Sequence, residues 1–231
     1  MNNMELTAAL VTSPSAAFAE LKERPRFWFP LLAVILSTAA ILFWYYSIVD
    51  FDWLVDRMMS ANPNMNQMSE QQQTQAMAMM KPGFLMWSSI ISVTIYLAAA
   101  RLLEGLYFLV AGNVTNTRHT YKQWLALACW TGLPHVIAAA GMIVYLLTAG
   151  TNQIANEELS LLSLNELFFH VPFGGKGYML LASLTVIHPW GWWLTALGVR
   201  VWTGRSWLFS TIFGLLPAIL IYGVWALLAF L

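Results

Sequence analysis

The sequence predicts an all-α, polytopic membrane protein with five transmembrane helices, arranged as one helix plus two repeated helical hairpins. Three observations carry this reading. First, 59% of the 231 residues are hydrophobic and only 10% are charged, with a mean hydropathy of +0.62. An average soluble domain carries roughly 25% charged residues, so too few charges are present to clothe a soluble surface. Second, crossing a hydrocarbon core of about 30 Å takes about 20 apolar residues of helix. Five stretches meet that length, about residues 27–48, 84–111, 124–149, 178–201 and 207–230. Third, Lys and Arg are divided unevenly between the segments that join these stretches. Lipid offers the backbone no hydrogen-bond partner and no alternating-strand pattern supports a barrel, so the stretches are expected to be helices.

Residues 1–26 are expected to form a cytoplasmic segment with an amphipathic helix. In SPSAAFAELKERP, Ser13 is placed as the N-cap and Pro14 at the first helical position. Ala17, Phe18 and Leu21 share one face, which suits a short helix lying on the inner leaflet. Span one, 27–48, is too long for the apolar region of a signal peptide and no small-residue cleavage site closes it. Residues 49–83 read as a loop of low complexity, rich in Asn, Gln and Met, with one short surface helix near 70–80. Beyond it, RSWLFSTIFGLLP (Arg205–Pro217) echoes KQWLALACWTGLP (Lys122–Pro134), a cation followed by Trp-Leu and then by Leu-Pro. The interval from Trp124 to Pro134 equals that from Trp207 to Pro217. Spans two and three, and four and five, therefore read as a hairpin repeated in parallel, with Gly112 corresponding to Gly204.

Positive charge sets the expected orientation. Lys22, Arg24, Arg26, Arg118, Lys122, Arg200 and Arg205 fall on one side, against Arg57, Lys81 and Lys176 on the other, while Arg101 lies within span two. The N-terminus is then cytoplasmic and the C-terminus outside, in a bacterial inner membrane. Trp28, Trp124, Trp202 and Trp207 are expected to form an inner aromatic belt, with Trp53 and Trp87 at the outer edge. The formal net charge is zero and basic runs are absent, so no nucleic-acid partner is expected. The single Cys129 excludes an internal disulfide.

Taken in order, LVTSPSAAFAELKERPRFWFPLL, YYSIVDFDW, AGNVTNTRHTYKQWLALACWTGLP and HPWGWWLTALGVRVWTGRSWLFSTIFGLLP make the chain resemble the Yip family (Ypt-interacting proteins), in its short bacterial form. The resemblance covers nearly the whole chain and implies five spans with a cytoplasmic N-terminus. Eukaryotic members are similar membrane proteins that associate with small GTPases of the Ypt/Rab type in vesicle traffic. They carry a long cytosolic N-terminal segment and an Asp-Leu-Tyr-Gly-Pro-like motif. Here 26 residues precede span one, and ERPRFWFPLL stands in place of that motif. GTPase binding is therefore not carried over.

Four ionisable residues lie inside expected spans, where such groups are costly and point to function. Arg101 and Glu104 share a face of span two at i, i+3 spacing. His135 and His188 lie near mid-span, each beside a proline, Pro134 and Pro189. With Pro217, these prolines mark expected helix bends, because proline removes a backbone hydrogen bond. Arg101, Glu104, His135 and His188 thus form a candidate intramembrane polar site, a cavity or proton path. The simpler alternative is that the histidines fix helix packing and Arg101 pairs with Glu104. Two histidines without a carboxylate or thiolate at ligand spacing make a poor metal site. Met65, Met68, Met77 and Met80 offer soft sulfur ligands in the outer loop, against the reading of Met as an apolar filler. The FGGKG turn, Phe173–Gly177, lies on the outer side and is no phosphate loop; Trp190, Trp192 and Trp193 are expected between helices.

No HExxH, G-x-S-x-G or Walker sequence is present, so no enzyme activity and no cofactor are expected. The sequence points to a non-catalytic scaffold or adaptor in the lipid bilayer that organises or binds other membrane proteins. Small residues such as Ala128 and Gly132 would permit close helix approach. A homo-oligomer is compatible with the same reading. The competing reading is a small transporter or channel component using the four ionisable groups.

Overall fold

The computed structural model describes residues 1–60, 69, 71, 72, 75 and 80–231. Those residues are helical almost throughout; the one extended pairing among them is an isolated antiparallel bridge between Ser163 and Thr185. The helices are α1 (Asn3–Thr12), α2 (Pro14–Glu23), α3 (Trp28–Ile48), α4 (Phe51–Ser60), α5 (Pro82–Val114), α6 (Tyr121–Thr131), α7 (Val136–Thr148), α8 (Tyr178–Ser183), α9 (His188–Thr203) and α10 (Trp207–Phe230). A 3₁₀ turn, Leu133–His135, joins α6 to α7. The surface helix expected near residues 70–80 lies largely outside the described residues.

Among the described residues, four segments are long and apolar enough to cross a membrane: Trp28–Ile48, Pro82–Val114, Tyr121–Thr148 and Trp207–Phe230. The stretch expected as span four is not one helix. It is the six-residue α8, a non-helical link from Leu184, and the sixteen-residue α9. Pro189 is the physical reason. A proline has no N–H to donate and suits the first turn of a helix, where that donor would be unpaired anyway. Upstream, the Leu184 carbonyl accepts from the Leu164 N–H at 2.7 Å, so the chain satisfies its backbone by pairing sideways. A second correction falls in the outer loop, whose start is the helix α4 rather than irregular chain. Asp50 caps it by accepting from the Trp53 N–H at 3.1 Å.

The chain forms two compact units. The first comprises residues 1–35, 96–136 and 186–231; the second comprises residues 36–95 and 137–185. The core of the first is built from α2, α6 and α9, around Phe18, Leu21, Trp124, Trp130, Leu194 and Val199. This corrects two expectations. Ala17, Phe18 and Leu21 do not face lipid but are fully buried in protein. Trp124 and Trp202 are not belt residues; both are buried in the same core, whereas Trp28 and Trp207 are exposed.

The reason is polar as well as apolar. The Trp202 indole donates to the Phe18 carbonyl at 2.7 Å, Trp130 to Arg26 at 2.6 Å, and the Gln123 amide to Lys22 at 2.8 Å. In return the Lys22 ammonium donates to the Trp202 carbonyl at 2.9 Å, placing a cation at the C-terminal end of α9, where the helix dipole favours it. α1 carries its own start signal, a capping box in which Asn2 and Glu5 bond each other's backbone N–H.

In the second unit, Ile41, Tyr45, Leu54, Ala139, Leu146 and Ile154 share a core. The buried Tyr45 hydroxyl donates to the Ile154 carbonyl at 3.0 Å. That unit also contains a π-helical turn, Asn165–Phe169, closed by His170 in the left-handed conformation at φ 51°.

Candidate functional site

Arg101 and Glu104 stand one turn apart on α5, as their spacing requires. The guanidinium donates through one nitrogen to the Glu104 carboxylate at 2.6 Å and to the Ala128 carbonyl of α6 at 3.3 Å. Charge-assisted bonds of this kind are shorter and stronger than neutral ones.

Opposite Arg101, α6 stops. Pro134 cannot donate to the Trp130 carbonyl, and its ring opposes that carbonyl sterically. The Trp130 carbonyl instead accepts from the Gly132 N–H. Gly132 is the residue that admits Arg101. A Cβ there would lie 2.7 Å from the Arg101 Cζ, so the guanidinium occupies the space a side chain would take.

The Gly132 carbonyl faces the histidines. It accepts from the His135 N–H at 3.1 Å and meets His135 Nδ1 at 3.1 Å. A carbonyl only accepts, so this contact places the ring proton on Nδ1. The His188 ring meets His135 edge-on with centroids 4.8 Å apart. His188 Nε2 lies 3.2 Å from the Tyr222 hydroxyl of α10, and its ring touches Trp192 at 5.7 Å. Gly191 makes the approach of α9 feasible, since a Cβ there would come within 3.2 Å of the Thr131 carbonyl oxygen.

The four ionisable residues are therefore brought together in the first unit. They form one line of contacts, Glu104–Arg101–Gly132–His135–His188–Tyr222. A cavity touching Arg101, walled by Pro30, Leu31, Val34, Ile35, Leu97 and Cys129, measures about 10 Å³. That is room for one water at most.

The prolines take three different roles. Pro134 lies in the 3₁₀ turn, Pro189 opens α9, and Pro217 stays inside an unbroken α10. Equal Trp-to-Pro intervals thus lead to unequal helices, because only the first has a glycine two residues before the proline and a guanidinium seated on it. Among the methionines, Met65, Met68 and Met77 lie outside the described residues, and Met80 is a partly buried turn residue. Trp193 is exposed rather than packed between helices.

Sequence reasoning missed Tyr222 and Gly191. Tyr222 had no signal, since span five carries no Asp, Glu, Lys, Arg or His to mark it. Gly191 sits between Trp190 and Trp192, and a lone glycine between tryptophans was the available hint of close helix approach.

The Yip1 domain family model matches residues 8–228 of the chain. The chain is also 28% identical over 217 residues to a Bacillus subtilis (strain 168) protein described as membrane protein YknW, across 93% of this chain and 84% of that one. No solved structure matches it. The helical fold, the apolar spans and a family match across nearly the whole length place this chain in the Yip1 family of membrane proteins.

Proposed function

We propose that this protein is a non-catalytic scaffold of the bacterial inner membrane, which organises or binds other membrane proteins. The observation that carries the reading is the lack of space beside the polar line. Arg101 bonds Glu104, His135 meets the Gly132 carbonyl and His188 meets the Tyr222 hydroxyl, beside a cavity of about 10 Å³. A translocation site needs room for its cargo; a packing device does not.

In this reading the N-terminus is cytoplasmic, and α8 and α9 together form a fifth, broken crossing. The two hairpins then descend from one repeated unit. The working surfaces are α1–α2 and the loop of residues 112–123, both on the basic side. Self-association belongs to the same reading, but not through Ala128 and Gly132, which are buried within the chain.

A second reading, proton-linked transport, is favoured by one observation, the edge-on His135–His188 pair hydrogen-bonded onward to Tyr222. One experiment separates the two. The full chain is placed in proteoliposomes under an imposed pH gradient, beside variants replaced by alanine at Arg101, Glu104, His135 and His188. The scaffold reading expects wild-type vesicles to hold the gradient as empty ones do. A wild-type flux that the folded variants lose would overturn it. Photo-crosslinkers placed in the loop at Asn116 and Arg118 are expected to capture discrete membrane-protein partners in native membranes.

A further inference from the structure

The second unit holds a cavity that none of the preceding accounts for. It measures about 460 Å³ and is lined by Arg57, Tyr145, Glu157, Glu158, Glu166 and Tyr178, among others. Small-molecule sites typically span roughly 300–1,000 Å³, so the space suits an organic ligand better than a bare ion.

Its charge selects the ligand. Three carboxylates face one guanidinium. Arg57 is already committed to Glu157, with nitrogens at 3.2 and 2.7 Å, and that contact holds its guanidinium protonated above the ordinary range. Glu158 accepts from the Tyr145 hydroxyl, and Glu166 is exposed at the rim. The wall keeps a negative excess that repels anions. Among the described residues no three His, Cys, Asp or Glu side chains group as metal ligands.

A second observation points inward. Tyr178 is 95% buried, 5% of its surface remaining exposed, and lines the cavity. Its ring meets Phe173 edge-on at 5.4 Å. The hydroxyl has no hydrogen-bond partner among the described residues and is not closed off from the cavity, so it stays open to a donor there. An ammonium N–H would supply it, while the aromatic rings of Tyr145, Phe173 and Tyr178 offer faces for a cation.

We infer that this cavity is a binding site for an organic ammonium group, held by Glu158, Glu166 and the Tyr178 hydroxyl. The FGGKG turn, Phe173–Gly177, then has a purpose. Its left-handed Gly174 and Gly177, at φ 78° and 81°, fold the chain back so that Phe173 and Tyr178 meet across the site. With the N-terminus inside, the site faces outward. Its ammonium comes either from a free amine or from a lipid headgroup.

The full chain in phosphatidylglycerol nanodiscs is titrated with ethanolamine and with putrescine by isothermal titration calorimetry. Saturable binding at one site per chain is expected. Tyr178→Phe and Glu166→Gln are each expected to weaken it roughly tenfold, the scale of a hydrogen bond to a charged group. Glu166 is exposed, so its variant tests the site even if Tyr178→Phe unfolds. Repeating the titration in phosphatidylethanolamine nanodiscs distinguishes the sources. Binding lost there, by competition, assigns the site to the headgroup; binding retained assigns it to a soluble amine. Absence of saturable amine binding in phosphatidylglycerol overturns the inference. So does magnesium binding there with no amine effect, or unchanged affinity in the folded Glu166→Gln variant.

Discussion

Arg101 and Gly132 share one volume: the guanidinium carbon lies 2.7 Å from where a side chain on Gly132 would begin. The missing Cβ lets a charged side chain of α5 reach the Ala128 carbonyl while holding Glu104. An arginine inside a span is in this way turned into part of the packing.

The ion pair should behave as a unit. Removing one partner strands a charge in a poorly hydrated place, whereas removing both does not. Arg101→Met and Glu104→Leu are each expected to lower stability by about 1–3 kcal/mol. The double variant is expected to lie closer to wild type than the sum of the two. Thermal unfolding of the four proteins in one detergent, read as a double-mutant cycle, checks this.

Two glycines should answer to alanine with opposite signs. Gly112 packs near the loop that follows α5, where a Cβ would lie 2.9 Å from the Thr117 carbonyl oxygen and 3.2 Å from the Trp124 indole nitrogen. Backbone yields poorly, so Gly112→Ala is expected to cost about 1–3 kcal/mol. A Cβ on Gly223 in α10 meets nothing within 4 Å. Gly223→Ala is expected to stabilise by about 0.5–1 kcal/mol, since helical glycine carries an entropic cost. Denaturation midpoints of both variants decide it.

The N-terminal helices should loosen together. Trp202→Phe keeps an aromatic ring but removes the bond to the Phe18 carbonyl, worth about 0.5–1.5 kcal/mol, and leaves part of the indole's space empty. Hydrogen–deuterium exchange is expected to speed up across residues 3–23 and to stay unchanged in α10. Uniform acceleration along the chain would refute the local role.

Acid should destabilise the first unit through His119. Burial foremost, and then the Lys22 ammonium, lower its pKa from the ordinary 6.5, while a hydrogen bond to the Trp202 backbone opposes them. The unfolded chain therefore binds a proton that the folded one resists. Stability is full above pH 6.5 and falls as pH drops below it toward the lowered folded value. His119→Gln is expected to flatten that acid limb in unfolding curves taken at stepped pH.

Sequence alone was enough for the helical class, the membrane setting and the family. The length and polarity of apolar runs follow directly from bilayer thickness, and the Arg101–Glu104 pair follows from helix geometry at i, i+3. Other features were decided by tertiary structure, because they depend on what covers each face. Phe18, Trp124 and Trp202 carry the pattern of lipid-facing anchors, and only the packing of α2 against α6 and α9 makes them core. Pro134, Pro189 and Pro217 look alike in sequence, yet they separate into a 3₁₀ turn, a helix start and a helix interior. A proline removes one donor in every case; what replaces it is set by neighbours remote in sequence. Where Arg101 fills the space above Gly132, the helix breaks, and the Gly132 carbonyl turns to His135.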